Sequence, residues 1–445
     1  MTTRRNLSDR MRASLPAVPA LVLSDRALRV IAMMLAMIVV SCSVTLPPDA
    51  PAANTVPHLR PQPAVVIDEA PADMLAVAAV AGAGGELHVL FKRKTEGWRY
   101  ALLNLATGTQ QVQTVPDSSL KGRAAGEGFD LTLDGDAVPH AIVEGHHLAW
   151  RGGAWARELG PPCHAFIRGG PPLRCVGPPP GAAEHRIDWF WVVPLPLPWA
   201  SEVKKLVLYV QEHGRWRIDG TFNAGSNRDV GTFQGVAAPS GAIHAVYARG
   251  HWLLFGDNYQ FRYELMPVQK AADPAGSMAQ QRDPGAGADR SVQLGCPHEV
   301  SPLSATWRRE GIGLAVDPVT GQGLLTVASV LPVICQHSVG PDGLGDVRAV
   351  FHGNYRRTDL AALGGGRFAM LLTLRNGGAA GPAVPMSIAT LHDGRWSAAQ
   401  ELGRFSTLPH YKGQAPLVPL GNGGMALVLV DARKRLVMIG FDPVP

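Results

Sequence analysis

Two short stretches of the chain repeat a metal-binding pattern. Cys296-Pro297-His298 and Cys335-Gln336-His337 each place a thiol two residues from an imidazole. Two sulfurs and two nitrogens make a tetrahedral zinc set, although ligand pairs in zinc sites are usually spaced more widely. The same thiols have a second use. Of five cysteines, Cys163, Cys175, Cys296 and Cys335 form an even set once Cys42 is assigned elsewhere. In an exported chain an even set reads as a disulfide framework. Four cysteines allow three pairings, and proximity selects Cys163 with Cys175 and Cys296 with Cys335. Disulfides, rather than zinc, are the expected chemistry.

Other residues invite chemistry and are weighed the same way. Asp342-Gly-Leu-Gly-Asp346 offers two carboxylates in a glycine-rich loop, the oxygen type calcium prefers, but the spacing is not that of an EF-hand and a plain turn is expected. Trp189-Phe190-Trp191 is the densest aromatic patch, a ligand contact if exposed and a buried strand otherwise. His88, His140 and His244 titrate near neutrality, as catalytic groups do, yet they recur in similar settings. One active site needs different residues converging once, so recurrence points to a structural role. The chain holds no Gly-any-Ser-any-Gly elbow, no His-Glu-any-any-His and no phosphate-binding glycine loop. No cofactor is expected.

The N-terminus says where the chain goes. Val30 to Val40 is an apolar run of 11 residues, preceded by six arginines and followed by Ser41-Cys42. A spanning helix needs roughly 20 apolar residues, so the run suits a signal peptide instead. Val39-Val40-Ser41-Cys42 resembles the lipobox of bacterial lipoproteins. That resemblance implies residues 1–41 as a signal peptide, cleavage before Cys42 and lipidation of its thiol, with the lipid bilayer as the first partner. Ser43 after the cysteine implies the outer membrane by the same resemblance. Residues 42–63 carry six prolines and little to bury, so they read as an extended tether. The leader holds six arginines and two aspartates, net +4 of the chain's +5, which leaves about +1 for the rest. Nothing in that balance calls for a nucleic-acid partner, which needs a basic patch on the folded domain.

These residues must be positioned by the segment 64–445. It shows short apolar runs between turn residues, among them Leu87 to Phe91, Ile243 to Tyr247 and Ala426 to Val430, and no sustained helical periodicity, so the domain is all-β. Gly85 to Phe91, Gly241 to Tyr247 and Gly345 to Phe351 share one frame: glycine, two residues, a polar residue, two apolar residues and an aromatic. The polar positions His88, His244 and Arg348 are 156 and 104 residues apart, three and two times 52. A second signature ends in tryptophan: Gly97-Trp98, Gly153-Ala-Trp155, Gly214-Arg-Trp216, Gly250-His-Trp252 and Gly394-Arg-Trp396. It reads as a hairpin whose glycine turns and whose tryptophan opens the returning strand. Repeats of this length made of short strands point to a β-propeller of about seven blades, six to eight, with two β-sandwich domains as the alternative. The pattern loosely resembles sialidase-type propellers, but the Asp box of those proteins is missing, which weakens the glycosidase expectation. Ala271 to Ser291 reads as a loop insertion and Gly177 to Arg186 as a proline-rich connector.

The reading that follows is a lipid-anchored, non-enzymatic binding or scaffold module of the bacterial envelope, with a protein or glycan partner. Its rivals are a propeller enzyme acting on glycans or another envelope polymer, and a periplasmic inhibitor or immunity lipoprotein.

Overall fold

The computed structural model describes residues 59–116, 129–178, 206–222, 233–253, 256–266, 292–294, 296, 311–328, 332–374, 383–406, 417–421 and 423–443. All of them fall within the compact unit Ala53–Pro445. They form thirty strands and one turn of 3-10 helix.

The strands run β1 (Leu59–Pro61) and β2 (Val65–Asp68), then sheet 1 of β3 (Ala72–Ala81), β4 (Glu86–Arg93), β5 (Gly97–Asn104) and β6 (Thr109–Thr114). Sheet 2 holds β7 (Phe129–Leu133), β8 (Pro139–Val143), β9 (His146–Arg151) and β10 (Ala154–Arg157). Sheet 3 holds β11 (Ala165–Arg168), β12 (Leu173–Gly177), β13 (Leu206–Glu212) and β14 (Arg215–Phe222). Sheet 4 holds β15 (Gln234–Ala237), β16 (Ile243–Leu253), β17 (Gly256–Met266) and β18 (Val292–Gln293), and sheet 5 holds β19 (Gly311–Val316), β20 (Gly323–Ala328), β21 (Val333–Gly340) and β22 (Gly343–His352). Sheet 6 holds β23 (Tyr355–Gly364), β24 (Arg367–Leu374) and β25 (Ala383–His392), edged by β26 (Arg395–Trp396) and β27 (Gln400–Ser406). Sheet 7 holds β28 (Leu417–Pro419), β29 (Met425–Val430) and β30 (Leu436–Pro443), and is completed from the other end of the chain by β1 and β2.

The sheets close into a ring. The first strands of consecutive sheets touch one another in order, and β28 of sheet 7 touches β3 of sheet 1. Among the described residues, seven buried apolar clusters occupy the seven sheet-to-sheet interfaces. The period-2 geometry of strands produces this arrangement. In β29, Met425, Leu427 and Leu429 face sheet 6, while Ala426, Val428 and Val430 face sheet 1. A strand buried on both faces reads as an unbroken apolar run, which is why Ala426 to Val430 lacks alternation. The fold is an all-β propeller, with seven blades among the described residues. Two sandwiches would give two interfaces rather than a closed series.

Ring closure moves one boundary. The proline-rich composition extends the tether through Pro63, but Leu59 to Pro61 pairs with Phe441 to Pro443, and Leu59 is buried between sheets 6 and 7. A three-residue strand carries too little periodicity to be read from sequence. Sheets 3 and 4 depart from the regular plan, because β11 and β15 pair in parallel, Ile167 opposite Gly235 and Arg168 opposite Val236. A Cβ on Gly235 would lie 2.3 Å from Ile167 Cδ1 and 2.9 Å from Phe233 Cε1, so a larger residue there would displace those side chains.

Two sequence frames map onto this ring with corrections. Gly85 and Gly241 precede the second strands of sheets 1 and 4, three sheets apart, as three times 52 implies. Gly345 instead lies inside the fourth strand of sheet 5, so Arg348 is not equivalent to His88 and His244. Trp155, Trp216 and Trp396 each open an edge strand, paired with the third strand of its sheet, after a two-residue turn. Both turn residues have positive φ: Gly152 and Gly153, His213 and Gly214, Asp393 and Gly394. That is the signature of the type I′ hairpin. Trp98 opens a third strand instead, and Gly250 and Trp252 lie within β16 rather than at a turn.

Candidate functional site

The recurring histidines are built into the ring. His88 Nδ1 and the Tyr100 hydroxyl share a 2.6 Å hydrogen bond in the interface of sheets 1 and 2. His244 Nδ1 and Tyr263 share one of 2.7 Å in the interface of sheets 4 and 5. The register is the same in both: the tyrosine sits on the third strand, opposite the residue two beyond the histidine. Burial pushes His88 down to about 4 and lowers His244 as well. These rings are neutral structural donors and acceptors at neutral pH.

Sheet 2 keeps the histidine and changes its partner. His140 stands on the second strand, 52 residues after His88, and the place opposite Ile142 is taken by His147 instead of tyrosine. The two rings stack at 5.0 Å, and His140 Nδ1 lies 2.8 Å from His147 Nε2. Asp134, in the turn before β8, accepts from His140 Nε2 at 3.0 Å. Its carboxyl is held below the usual range, because peptide N–H groups of Val138 and Asp136 and the His140 ring together outweigh burial. Past the end of β10, Glu158 donates its backbone N–H to His147 O, which brings its side chain to the histidines. Glu158 Oε1 accepts from Arg151, at 2.7 and 3.0 Å, while Oε2 lies 3.6 Å from His147 Nδ1 and 4.0 Å from His140 Nδ1. Burial works to raise Glu158, but Arg151 and the two histidines hold it below the usual carboxylate range. Burial first, then the neighbouring His140, pushes His147 down to about 4. Both imidazole side chains are 1% exposed, and His147 packs edge-on against Phe166 and Trp216 of sheet 3.

A second polar group collects on the innermost strands. Arg168 ends β11, and its guanidinium feels the carboxylates of Asp130 on β7 and Asp359 on β23. Strands of sheets 2, 3 and 6 thus point charges at one region inside the ring. Burial outweighs the two carboxylates and lowers Arg168 from the ordinary arginine value. Asp130 is a clamp as well as a charge: Oδ1 accepts from Leu131 N at 2.6 Å, and Oδ2 from Phe166 N of the next sheet at 2.8 Å.

The residues singled out in the sequence fall as follows. Cys163 and Cys175 are bonded within sheet 3, and Cys296 and Cys335 join the segment after β18 to sheet 5, the pairing that proximity selects. Bonded sulfurs are not zinc ligands, so the Cys-any-His reading ends there. Asp342 and Asp346 are exposed at the β21 to β22 hairpin. Cys42 and the trio Trp189, Phe190 and Trp191 lie outside the described residues, as do His298 and Ala271 to Ser291. Sequence reasoning missed Asp134, His147, Glu158 and Arg168. The spacing from histidine to partner is 12, 19 and 7 residues in the three sheets, so only strand register reveals the equivalence.

No family model matches the chain, and no curated protein matches it. Solved structures of similar shape include AofleA from Arthrobotrys oligospora, at 10% identity over 78% of this chain and 90% of that one, with a TM-score of 0.39. A lectin of Aleuria aurantia, described as a six-bladed β-propeller with a fucose recognition mode, matches at 10% identity over 76% and 98%, TM-score 0.39. A chain of a mitotic checkpoint complex matches at 10% identity over 90% and 98%, TM-score 0.45. Likeness at this level assigns no ligand to the present chain.

Proposed function

We propose that the chain is a non-enzymatic binding module of a bacterial envelope, cut before Cys42, lipid-anchored there in the outer membrane, and held off the bilayer by its proline-rich segment. The ring receives a protein or glycan partner. The observation that carries this reading is how the described titratable groups are spent. His88 and His244 are locked to buried tyrosines, and both oxygens of Asp130 accept peptide N–H groups, so these groups hold sheets together rather than move protons. Arg168, in the field of Asp130 and Asp359, is a cation on the inner strands. A guanidinium recognises carboxylate, phosphate or sulfate through paired, charge-assisted hydrogen bonds, so an acidic group on the partner is the chemistry it fits.

One observation favours the enzyme reading, namely Asp359, buried on β23 within the field of Arg168. The two readings separate in one experiment. Full-length protein in detergent is offered acidic envelope glycans and envelope proteins, and both retention and cleavage are measured. Retention without new chain ends, lost in Arg168→Ala at a preserved cooperative melt, supports binding. New chain ends that vanish in Asp359→Asn establish the enzyme instead. Anchoring is tested by Cys42→Ala, which should abolish labelling by radioactive palmitate and leave an uncleaved precursor. Unchanged labelling refutes the lipoprotein.

A further inference from the structure

The cluster in sheet 2 departs from a pattern that the same chain uses twice elsewhere. In sheets 1 and 4 a tyrosine hydroxyl closes the histidine pair, whereas in sheet 2 the equivalent place holds a second imidazole and the outer strand adds a carboxylate. The corresponding outer-strand residues opposite Tyr100 and Tyr263 are Gln113 and Val292. Both changes are to metal-ligating side chains, and they coincide at one spot.

The direction of the hydrogen bonds sharpens the point. Asp134 accepts from His140 Nε2, which turns His140 Nδ1 toward His147 Nε2. His140 Nδ1 and His147 Nε2 lie 2.8 Å apart, so His147 Nδ1 is the ring nitrogen left outside that pair. It faces Glu158 Oε2 at 3.6 Å, beyond hydrogen-bond reach, and neither atom has a hydrogen-bond partner although both are buried. A cation bound between these two buried atoms would give both a partner.

We propose that His140, His147 and Glu158 form a binding site for a divalent ion of the zinc class. One donor atom from each lies within 4.8 Å of the other two, and binding a shared ion at about 2.0 to 2.2 Å takes His140 Nδ1 out of its contact with His147 Nε2. Two imidazoles and one carboxylate suit zinc, whereas calcium and magnesium take oxygen donors. Asp134 sits behind His140 as the outer partner that fixes its tautomer, the carboxylate that metal-bound histidines commonly carry. Arg151, on the other oxygen of Glu158, orients that carboxylate. The ion joins the second, third and outer strands of sheet 2, beside the interface with sheet 3, whose apolar cluster is the smallest of the seven among the described residues. This inference stands apart from the binding reading above.

The test uses full-length protein in mild detergent, stripped with EDTA and dialysed against zinc sulfate at neutral pH. Wild-type protein should hold one zinc per chain, with a raised thermal midpoint, and should take up no calcium at the same site. His147→Tyr rebuilds the pair found in sheets 1 and 4, so it should melt cooperatively and bind zinc at least about 100-fold more weakly. Glu158→Gln, which removes a charged donor without adding bulk, should also lose zinc. Asp134→Asn keeps all three donors and should weaken binding about 10- to 100-fold. Wild-type protein that takes up no zinc at about 100 μM, or His147→Tyr or Glu158→Gln protein with wild-type affinity, overturns the site.

Discussion

Tyr100 and His88 meet through a 2.6 Å hydrogen bond between their hydroxyl and Nδ1, sealed in the interface of sheets 1 and 2. The relationship is a repeating device, because Tyr263 and His244 reproduce it at 2.7 Å three sheets later. A buried polar atom that loses its partner costs about 1 to 3 kcal/mol. Tyr100→Phe and Tyr263→Phe are each expected to cost that much in urea unfolding, and the double variant to cost the sum, since the sites share no contact. Losses below about 0.5 kcal/mol would show that the pairs are incidental.

Acid should loosen the fold through these histidines. His88, His147 and His164 are pushed down to about 4 by burial, against 6.5 in an unfolded chain. The unfolded state therefore binds more protons between these values. The stability they contribute is complete above pH 6.5 and is lost as pH falls toward 4, at about 3 kcal/mol per group at most. The thermal midpoint in metal-free buffer should be flat from pH 7 to 8 and fall between pH 6.5 and 4.5. A midpoint that holds steady to pH 4.5 contradicts the account.

Trp155 and Trp396 occupy one place in two sheets, but not with equal burial. Trp155 is 7% exposed and packs edge-on against Tyr100 and Trp150. Trp396 is only partly buried and donates its indole N–H to Gln336 at 2.7 Å. Trp155→Ala should cost about 3 to 5 kcal/mol and Trp396→Ala clearly less, which corrects the equal losses that sequence equivalence alone suggests. Equal thermal shifts, or a larger one at Trp396, would break this reading.

Ring closure depends on a strand inside the proline-rich segment. Leu59 is 5% exposed between sheets 6 and 7. Leu59→Ala should cost about 2 to 4 kcal/mol, and a chain that starts at Ala64 should melt lower than one that starts at Ser43. Equal melting of those two chains would mean that β1 adds nothing to closure.

Periodicity carried much of the architecture into view. Alternating apolar runs, turn glycines and the spacing of three times 52 residues from His88 to His244 depend on local chain geometry, so the all-β propeller and the hairpins of Trp155, Trp216 and Trp396 were legible in the residues themselves. The two disulfides were legible too, because proximity in sequence sets loop entropy. Strand register was not legible, because it is settled by which faces bury together across a hairpin of variable length. Register places His147 where Tyr100 and Tyr263 stand, brings Glu158 from the outer strand to both imidazoles, and demotes Arg348 from the repeat. Closure was not legible either. Leu59 pairs with Pro443 across nearly the whole described chain, and Arg168, Asp130 and Asp359 come together only because a ring turns separate sheets toward one axis. Local patterns wrote the blades, and long-range packing chose which side chains meet between them.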